Sequence, residues 1–491
     1  MKVLHVSSEV APWSKTGGLG DVVSSLPRAQ AQLSREAGDQ FAVVAPAYLV
    51  DPARHGLARR LRRVDVPLGG RIHDVQVLEG QLPGGGGEVQ AWLIDHPVFR
   101  RPGIYGEGNY EYPDNAFRFA LLSRAALLVP RAFGFVPDVV HAHDWPTGPA
   151  LSYARRLDLP AARTVFTIHN IAFQGLFPAE VTEVVDLGWE GFRPEGFEFY
   201  GRVSYLKVGL CHADRITTVS PRHAREILTP EFGFGLDGFL AVQPGGVSGI
   251  LNGVDYETWN PARDPACAAP FSAARPEGKR ACKAALQQAM GLSPRPRVPL
   301  FGAVSRLSWQ KGFDLLADVL EQLLPEREVQ VVVLGSGERE TEERLKALAA
   351  RHPTRLAVHI GYDEERSHRV YAGSDLFLMP SRYEPCGLGQ MYALRYGAVP
   401  VVRATGGLDD TVVDFDAPSR TGTGFKFGPA DAPALGGAMR RALSLFASEE
   451  DFTGLRRRGM AQDFSWAGPA RAYRELYSGL LARPRLSPSP G

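Results

Sequence analysis

Lys15-Thr16-Gly17-Gly18-Leu19-Gly20-Asp21, just after the apolar run Val3-Leu4-His5-Val6, is the stretch that decides how this chain folds. It has a counterpart in the second half. There the run Pro299-Leu300-Phe301-Gly302-Ala303-Val304 leads into Ser305-Arg306-Leu307-Ser308-Trp309-Gln310-Lys311-Gly312. Each stretch puts a cation and flexible backbone where a strand gives way to a helix. α/β folds bind phosphate at such places, because unpaired N–H groups and the helix dipole face the anion. A single turn of this kind also closes an ordinary βα loop. A matched pair points to two Rossmann-like domains sharing one phosphorylated ligand.

The remainder of the chain alternates in the same way. Apolar, β-rich runs at 41–44, 89–94, 138–141, 163–168 and 215–219 predict one parallel sheet, with a helix over 115–129. Runs at 299–304, 329–334, 356–360, 376–379 and 399–402 predict a second sheet, with helical patterns such as 341–350 between them. The Pro- and Ala-rich stretch Asn260 to Gly278 reads as the interdomain connection. The expected organisation is an N-terminal Rossmann-like domain over 1–255 and a C-terminal one over 256–464. A helix over 465–482 is expected to pack back on the first domain, and 483–491 to be a disordered tail.

Composition limits the function. At 491 residues the chain exceeds one ordinary core. A net charge of +1 gives no basic face for nucleic acid and no acidic tail. No run of 18 apolar residues is present, so no membrane span is expected. With a strand starting at residue 3 and no basic-then-apolar leader, no signal peptide is expected either. Cys211, Cys267, Cys282 and Cys386 form no C-x-x-C pair, which suits a reducing cytoplasm.

Several motifs carry chemistry. Neither glycine turn fits the dinucleotide fingerprint: Val23 stands at the third glycine position of the first and Glu340 at that of Gly335-Ser336-Gly337. Arg306 and Lys311 lie five apart across a strand-to-helix turn. A forked guanidinium and a mobile ammonium there suit a diphosphate leaving group, and supply what a divalent metal does in other transferases. No Asp-x-Asp motif is recognised that would hold such a metal, so no metal cofactor is expected. His141-Ala142-His143-Asp144 ends a strand and admits zinc ligation, but the favoured reading has Asp144 touching sugar or acceptor, with one histidine structural. His169, in Thr167-Ile168-His169-Asn170, ends another strand. Glu384, in Ser381-Arg382-Tyr383-Glu384-Pro385-Cys386-Gly387-Leu388-Gly389-Gln390, precedes a helix start, where an acid serves as a cap or holds sugar hydroxyls.

Taken together these segments resemble the bacterial glycogen synthase and plant starch synthase family, retaining glycosyltransferases of the two-Rossmann GT-B fold. The resemblance also rests on Asp114-Asn115-Ala116-Phe117-Arg118-Phe119, Gly249-Ile250-Leu251-Asn252-Gly253-Val254-Asp255, Glu384-Pro385-Cys386-Gly387-Leu388 and Thr405-Gly406-Gly407-Leu408. It implies two domains facing each other across a deep cleft, and transfer of glucose from ADP-glucose to glycogen or a maltooligosaccharide. By the same resemblance, Arg306 and Lys311 stabilise the departing diphosphate, and Gly18 and the main chain at Leu388 and Gly389 touch phosphate. Lys15 reaches the diphosphate or donor sugar, and Glu384 holds glucose hydroxyls. His169 sits near the 6-OH, Asp144 and Asn252 line the reaction centre, and Tyr362 lies near the adenine. Gly389 departs from the family's usual Thr or Asn. Tyr392, where many related transferases carry a second Glu, matches this family.

Alternatives on the same fold fare worse. A phosphorylase needs pyridoxal phosphate, an NAD oxidoreductase fails on both glycine turns, and a non-catalytic glucan binder leaves the cationic pair unexplained. The base, ADP or UDP, rests on pocket shape and stays open at this stage, as do the oligomeric state and any allosteric control.

Overall fold

The computed structural model describes residues 1–84, 87–108 and 110–483. The expected tail therefore lies outside the described residues from residue 484 onward. The chain divides into two compact units: Met1–Val219 with Ala224–Gly253 and the segment from Trp466, and Ser220–His223 with Val254–Ser465.

The first unit is built on a twisted, mainly parallel sheet. Its parallel strands are β1 (Lys2–Val6), β2 (Gln40–Pro46), β3 (Gln90–Asp95), β4 (Val139–His143), β5 (Arg163–Ile168), β6 (Arg215–Thr218) and β7 (Val247–Gly249). Their spatial order is β7-β6-β5-β4-β1-β2-β3, extended past β3 by the antiparallel strand Arg71–Gln81. The central strands are apolar almost throughout, because helices cover both faces. Helix α1 (Gly18–Leu33) buries Val22, Val23 and Leu26 against them. The C-terminal helix Ala467–Leu481 joins this same core through Tyr473, Tyr477 and Leu480, which recur on one face. At about 1.5–3 kcal/mol for each large side chain removed from water, that face is a substantial part of the first unit's stability.

The second unit carries a six-stranded sheet, β8 (Leu300–Val304), β9 (Gln330–Gly335), β10 (Leu356–Ile360), β11 (Leu376–Met379), β12 (Val399–Arg403) and β13 (Phe425–Phe427). Its order is β10-β9-β8-β11-β12-β13, and every pairing is parallel. The core gathers Phe301, Leu316, Leu320, Val331, Val333 and Leu378.

The structure corrects the expected boundaries in two places. The chain passes between units at Gly253–Val254, and Ser220–His223 groups with the second unit. There Arg222 N donates to Asp410 Oδ2 at 2.8 Å. The stretch 260–278 is no free connection. It belongs to the second unit, where Asp264 is buried and takes hydrogen bonds from His368 Nδ1 at 2.7 Å and Tyr396 OH at 2.5 Å. A carboxylate with that pairing anchors the segment, which its Pro-rich composition conceals.

Candidate active site

In each sheet the strand order reverses at one place, and open α/β sheets bind ligands beyond the strand ends at that place. In the first unit the reversal lies between β1 and β4, and in the second between β8 and β11. The loop after β1 holds Lys15 and Gly18, that after β4 Asp144, and that after the adjacent β5 His169. In the second unit, Arg306 and Lys311 follow β8 and Glu384 follows β11.

The first unit's loop is held by Glu9, a residue the sequence reading passed over. Glu9 is buried and accepts hydrogen bonds from Thr16 N (2.7 Å), Thr16 Oγ1 (2.8 Å) and Tyr105 OH (2.7 Å). Tyr105 is placed in turn by the 114–119 motif. Asn115 Nδ2 donates to Tyr105 O at 2.8 Å, and the fully buried Arg118 donates to Val98 O and Ile104 O at 2.9 and 3.0 Å. That motif is therefore a brace for the loop. Lys15 Nζ lies 2.9 Å from Asp21 Oδ1 across the first turn of α1, so its ammonium is held at the loop. Gly18 begins the helix. Asn252 is buried beside the point where the chain leaves the unit.

Asp144 sits at φ 59°, a conformation few non-glycine residues adopt and one that concentrates at functional sites. Its Oδ1 accepts from His169 N (2.8 Å) and Asn170 N (3.2 Å), binding the ends of β4 and β5 together. Burial pushes its carboxyl up to about 7, against the pull of those two N–H donors. His169 is held neutral by burial, its pKa lowered to about 3.

The His141–His143 pair has a third neighbour in His5, and their ring nitrogens come close enough to hold a metal ion. Every one of those nitrogens already has a protein partner. His5 contacts Gln30 and His143, His143 contacts His5 and His169, and His141 contacts Tyr477 and Thr167. Burial lowers the pKa of all three. The cluster is a satisfied hydrogen-bond network, and zinc ligation would have to break it. His5 and Gln30 were legible in principle: each is a polar residue on an otherwise apolar strand or helix face.

In the second unit Lys311 Nζ donates to both oxygens of Glu384, at 2.7 and 2.6 Å, and Ser381 Oγ donates to Glu384 Oε2 at 2.9 Å. Both side chains are largely buried, 15% and 8% exposed, so the pair is shielded from water. Arg306 is exposed, with Nη2 3.3 Å from Gln310 Oε1. Arg382 forks onto Asp314 at 2.6 and 2.7 Å and donates to Trp309 O, tying the Glu384 loop to the Lys311 loop. Gly312, at φ 71°, also joins these loops: a Cβ there would stand 2.1 Å from Pro380 O. The Thr405–Leu408 motif acts from beneath, since a Cβ on Gly406 would meet Glu384 O at 1.9 Å.

Leu388 caps the helix that starts at Gly389. A Cβ on Gly389 would lie 3.2 Å from both Met379 Sδ and Tyr371 OH, so the glycine allows close packing where a Thr or Asn would press. Tyr362, just past β10, is 76% exposed and presents a ring for stacking. The reading that the chain holds no Asp-x-Asp motif is wrong: Asp414-Phe415-Asp416 is one, and it is engaged locally. Asp414 takes Lys426 N and Arg441, and Asp416 takes Ser419.

Residues 2–242 match the starch synthase catalytic domain family and 292–453 the glycosyl transferases group 1 family. A glycogen synthase from Anaeromyxobacter dehalogenans is 50% identical over 97% of this chain and 98% of its own length. One from Thioalkalivibrio sulfidiphilus is 46% identical over 98% of this chain and all of its own. The catalytic domain of starch synthase IV from Arabidopsis thaliana, solved bound to ADP and acarbose, superposes with a TM-score of 0.89 at 34% identity. That match covers 98% of this chain and 99% of the plant domain. With two parallel α/β units, site residues at both strand-order reversals and full-length relatives of this kind, the chain belongs to the glycogen synthase and starch synthase family of GT-B glycosyltransferases.

Proposed function

We propose that this protein transfers glucose from ADP-glucose to the non-reducing 4-OH of an α-1,4-glucan, with retention of configuration. The observation that carries this reading is the Arg306–Lys311 turn with Glu384 at the reversal of the second sheet. Arg306 and Lys311 face the diphosphate and offset the charge that grows as it leaves, usually the largest electrostatic contribution to such catalysis. Glu384, oriented by Lys311 and Ser381, accepts hydrogen bonds from the donor glucose. Leu388 and Gly389 offer main-chain N–H groups to phosphate, and Tyr362 offers its ring to the base. Lys15, Gly18, Asp144, His169 and Asn252 bring the first unit's contribution to donor and acceptor. ADP as the donor base is supported by the plant relative's bound ADP, and a glucan acceptor by its acarbose.

Front-face attack fits the carboxylates present. Glu384 is ion-paired with Lys311 and hydrogen-bonded by Ser381, and burial raises the Asp144 carboxyl to about 7; pairing and protonation both weaken a carboxylate as the nucleophile that double displacement requires. The bond from the anomeric carbon to the diphosphate oxygen breaks. The acceptor oxygen bonds to that carbon on the same face, and its proton passes to the departing phosphate. The products are ADP and a glucan one residue longer. Because two cations do the work of a metal, the reaction is expected to proceed in EDTA. The four free cysteines fit a reducing cytoplasm.

The test is incubation of the protein with glycogen and radiolabelled ADP-glucose or UDP-glucose in EDTA, counting label in precipitated glucan. Incorporation mainly from ADP-glucose supports the reading. Incorporation only from UDP-glucose overturns the donor, and none from either overturns the function.

A further inference from the structure

Four imidazoles lie across three adjacent strand ends of the first unit. His5 on β1 is paired in register with His141 on β4, His143 follows two residues on, and His169 lies just past β5. Three of them form a continuous chain with a buried amide at its head. Gln30 Oε1 is 3.0 Å from His5 Nε2, His5 Nδ1 is 3.0 Å from His143 Nε2, and His143 Nδ1 is 3.0 Å from His169 Nε2. Each nitrogen along the way is used once, and His169 Nδ1 is the one left outside the chain. Gln30, His5 and His143 are fully buried.

A neutral imidazole has one N–H and one lone pair. A series of them therefore runs in a single direction, and whatever stands at the head decides which. Here the head is an amide oxygen, which only accepts. His5 must then carry its proton on Nε2, and its bare Nδ1 accepts from His143 Nε2–H. The bare Nδ1 of His143 accepts in turn from His169 Nε2–H. The far end of a second series sets this orientation. Thr217 Oγ1 donates to Phe166 O at 3.5 Å and so accepts from Thr167 Oγ1 at 2.6 Å; Thr167 accepts from His141 Nε2–H at 2.6 Å, and the bare His141 Nδ1 accepts from Tyr477 OH at 2.7 Å. That hydroxyl is left to accept from the amide NH2 at 3.3 Å. An amide turned the other way would reverse every bond in the series and put a proton on His169 Nδ1.

We propose that Gln30, His5 and His143, with Tyr477 of the C-terminal helix, are positioning residues that hold His169 in its Nε2–H form. The bare Nδ1 then accepts a hydrogen bond from a hydroxyl of the bound sugar. This last step rests on the glucosyltransferase reading; the tautomer itself does not. The C-terminal helix thereby acquires a second task besides covering the sheet: it fixes the direction of a hydrogen-bond series that ends at the sugar.

The test is a long-range proton–nitrogen spectrum of the full-length protein labelled with 15N-histidine, with the His169 signals identified by their loss in His169→Gln. The expected result is a single tautomer with the proton on Nε2. In Gln30→Leu, His169 should become a tautomer mixture, and kcat/KM for the donor should fall about tenfold, chiefly through KM, as for one lost hydrogen bond. Tyr477→Phe preserves the core volume and should show the same change if Gln30→Leu does not fold. A proton on His169 Nδ1 in the wild type, or an unaltered His169 tautomer in the folded variant, overturns the proposal. Wild-type protein that transfers no glucose would overturn the function alone, while the spectrum still decides the tautomer.

Discussion

The two strand-order reversals differ in what lies behind their loops. The second unit's carries a full ion pair, Lys311 with Glu384, an exposed Arg306 and an Arg382–Asp314 fork. The first unit's carries the Lys15–Asp21 pair on its loop, but behind it lies an uncharged network of neutral imidazoles leading to His169, beside an Asp144 carboxyl raised to about 7. The difference matches what each half is proposed to bind. A leaving diphosphate gains negative charge and rewards cations. A sugar hydroxyl is neutral, and what matters to it is the direction of donors and acceptors. Burying those groups costs little provided each finds a partner, as the ring nitrogens of His5, His141 and His143 do here.

The largest effects should come from the charged half. Lys311→Ala strands a shielded carboxylate and removes a cation from the proposed diphosphate site, and Glu384→Gln weakens the same pair. Each should lower kcat by about 10²- to 10³-fold in the labelled-glucan assay. If Gln30→Leu, on the uncharged side, cost as much as either, the contrast between the halves would fail.

Acid should act on the buried histidines, most of which lie in the first unit. His5, His141, His143 and His169 are all depressed in the folded state, to about 4 for His5 and about 3 for His169. Their stabilisation is complete above the unfolded value near 6.5 and is lost as pH falls below it. Each contributes a slope of up to about 1.4 kcal/mol per pH unit. Urea unfolding followed at pH 7 and pH 5 should show a drop of several kcal/mol. A flat profile would mean that these rings protonate freely when folded.

Asp144 has the reverse sign. Its folded pKa, about 7, exceeds the unfolded value of 3.8, so its stabilisation is present below 3.8 and lost as pH rises through 7. Asp144→Asn keeps an acceptor for the two N–H groups without that loss. The variant should gain on the wild type as pH rises from 4 to 8, by on the order of a few °C in Tm. Parallel melting curves across that range would refute the raised pKa.

The smallest effect is expected at Gly389. Gly389→Thr presses a Cβ on Met379 and Tyr371, and should cost about 1 kcal/mol of stability with a modest rise in donor KM. A wild-type-like melting temperature and KM would show that the pocket yields freely.

Much of this was legible in the chain. The lysine-and-glycine turns, the apolar runs of the parallel strands and the Glu384 motif are local patterns, and local patterns survive without coordinates. What the sequence concealed was pairing. Glu9 is an unremarkable acid until Thr16 and Tyr105 close on it. Arg118 sits in a recognisable motif, yet its task as a brace depends on carbonyls from a distant loop. The stretch 260–278 looked like a connection because composition reports flexibility and says nothing of a buried Asp264 held by His368 and Tyr396.

The sequence by itself determined the class of fold, the family and the residue types at both reversals, since strand periodicity and turn chemistry are set by near neighbours. Only the tertiary structure decided which side chains meet. It joined Lys311 to Glu384, set His5 between Gln30 and His143, and brought Tyr477 from the far end of the chain to the amide that directs them. Hydrogen bonds act over about 3 Å of space, and their partners here lie from a few residues to most of the chain apart.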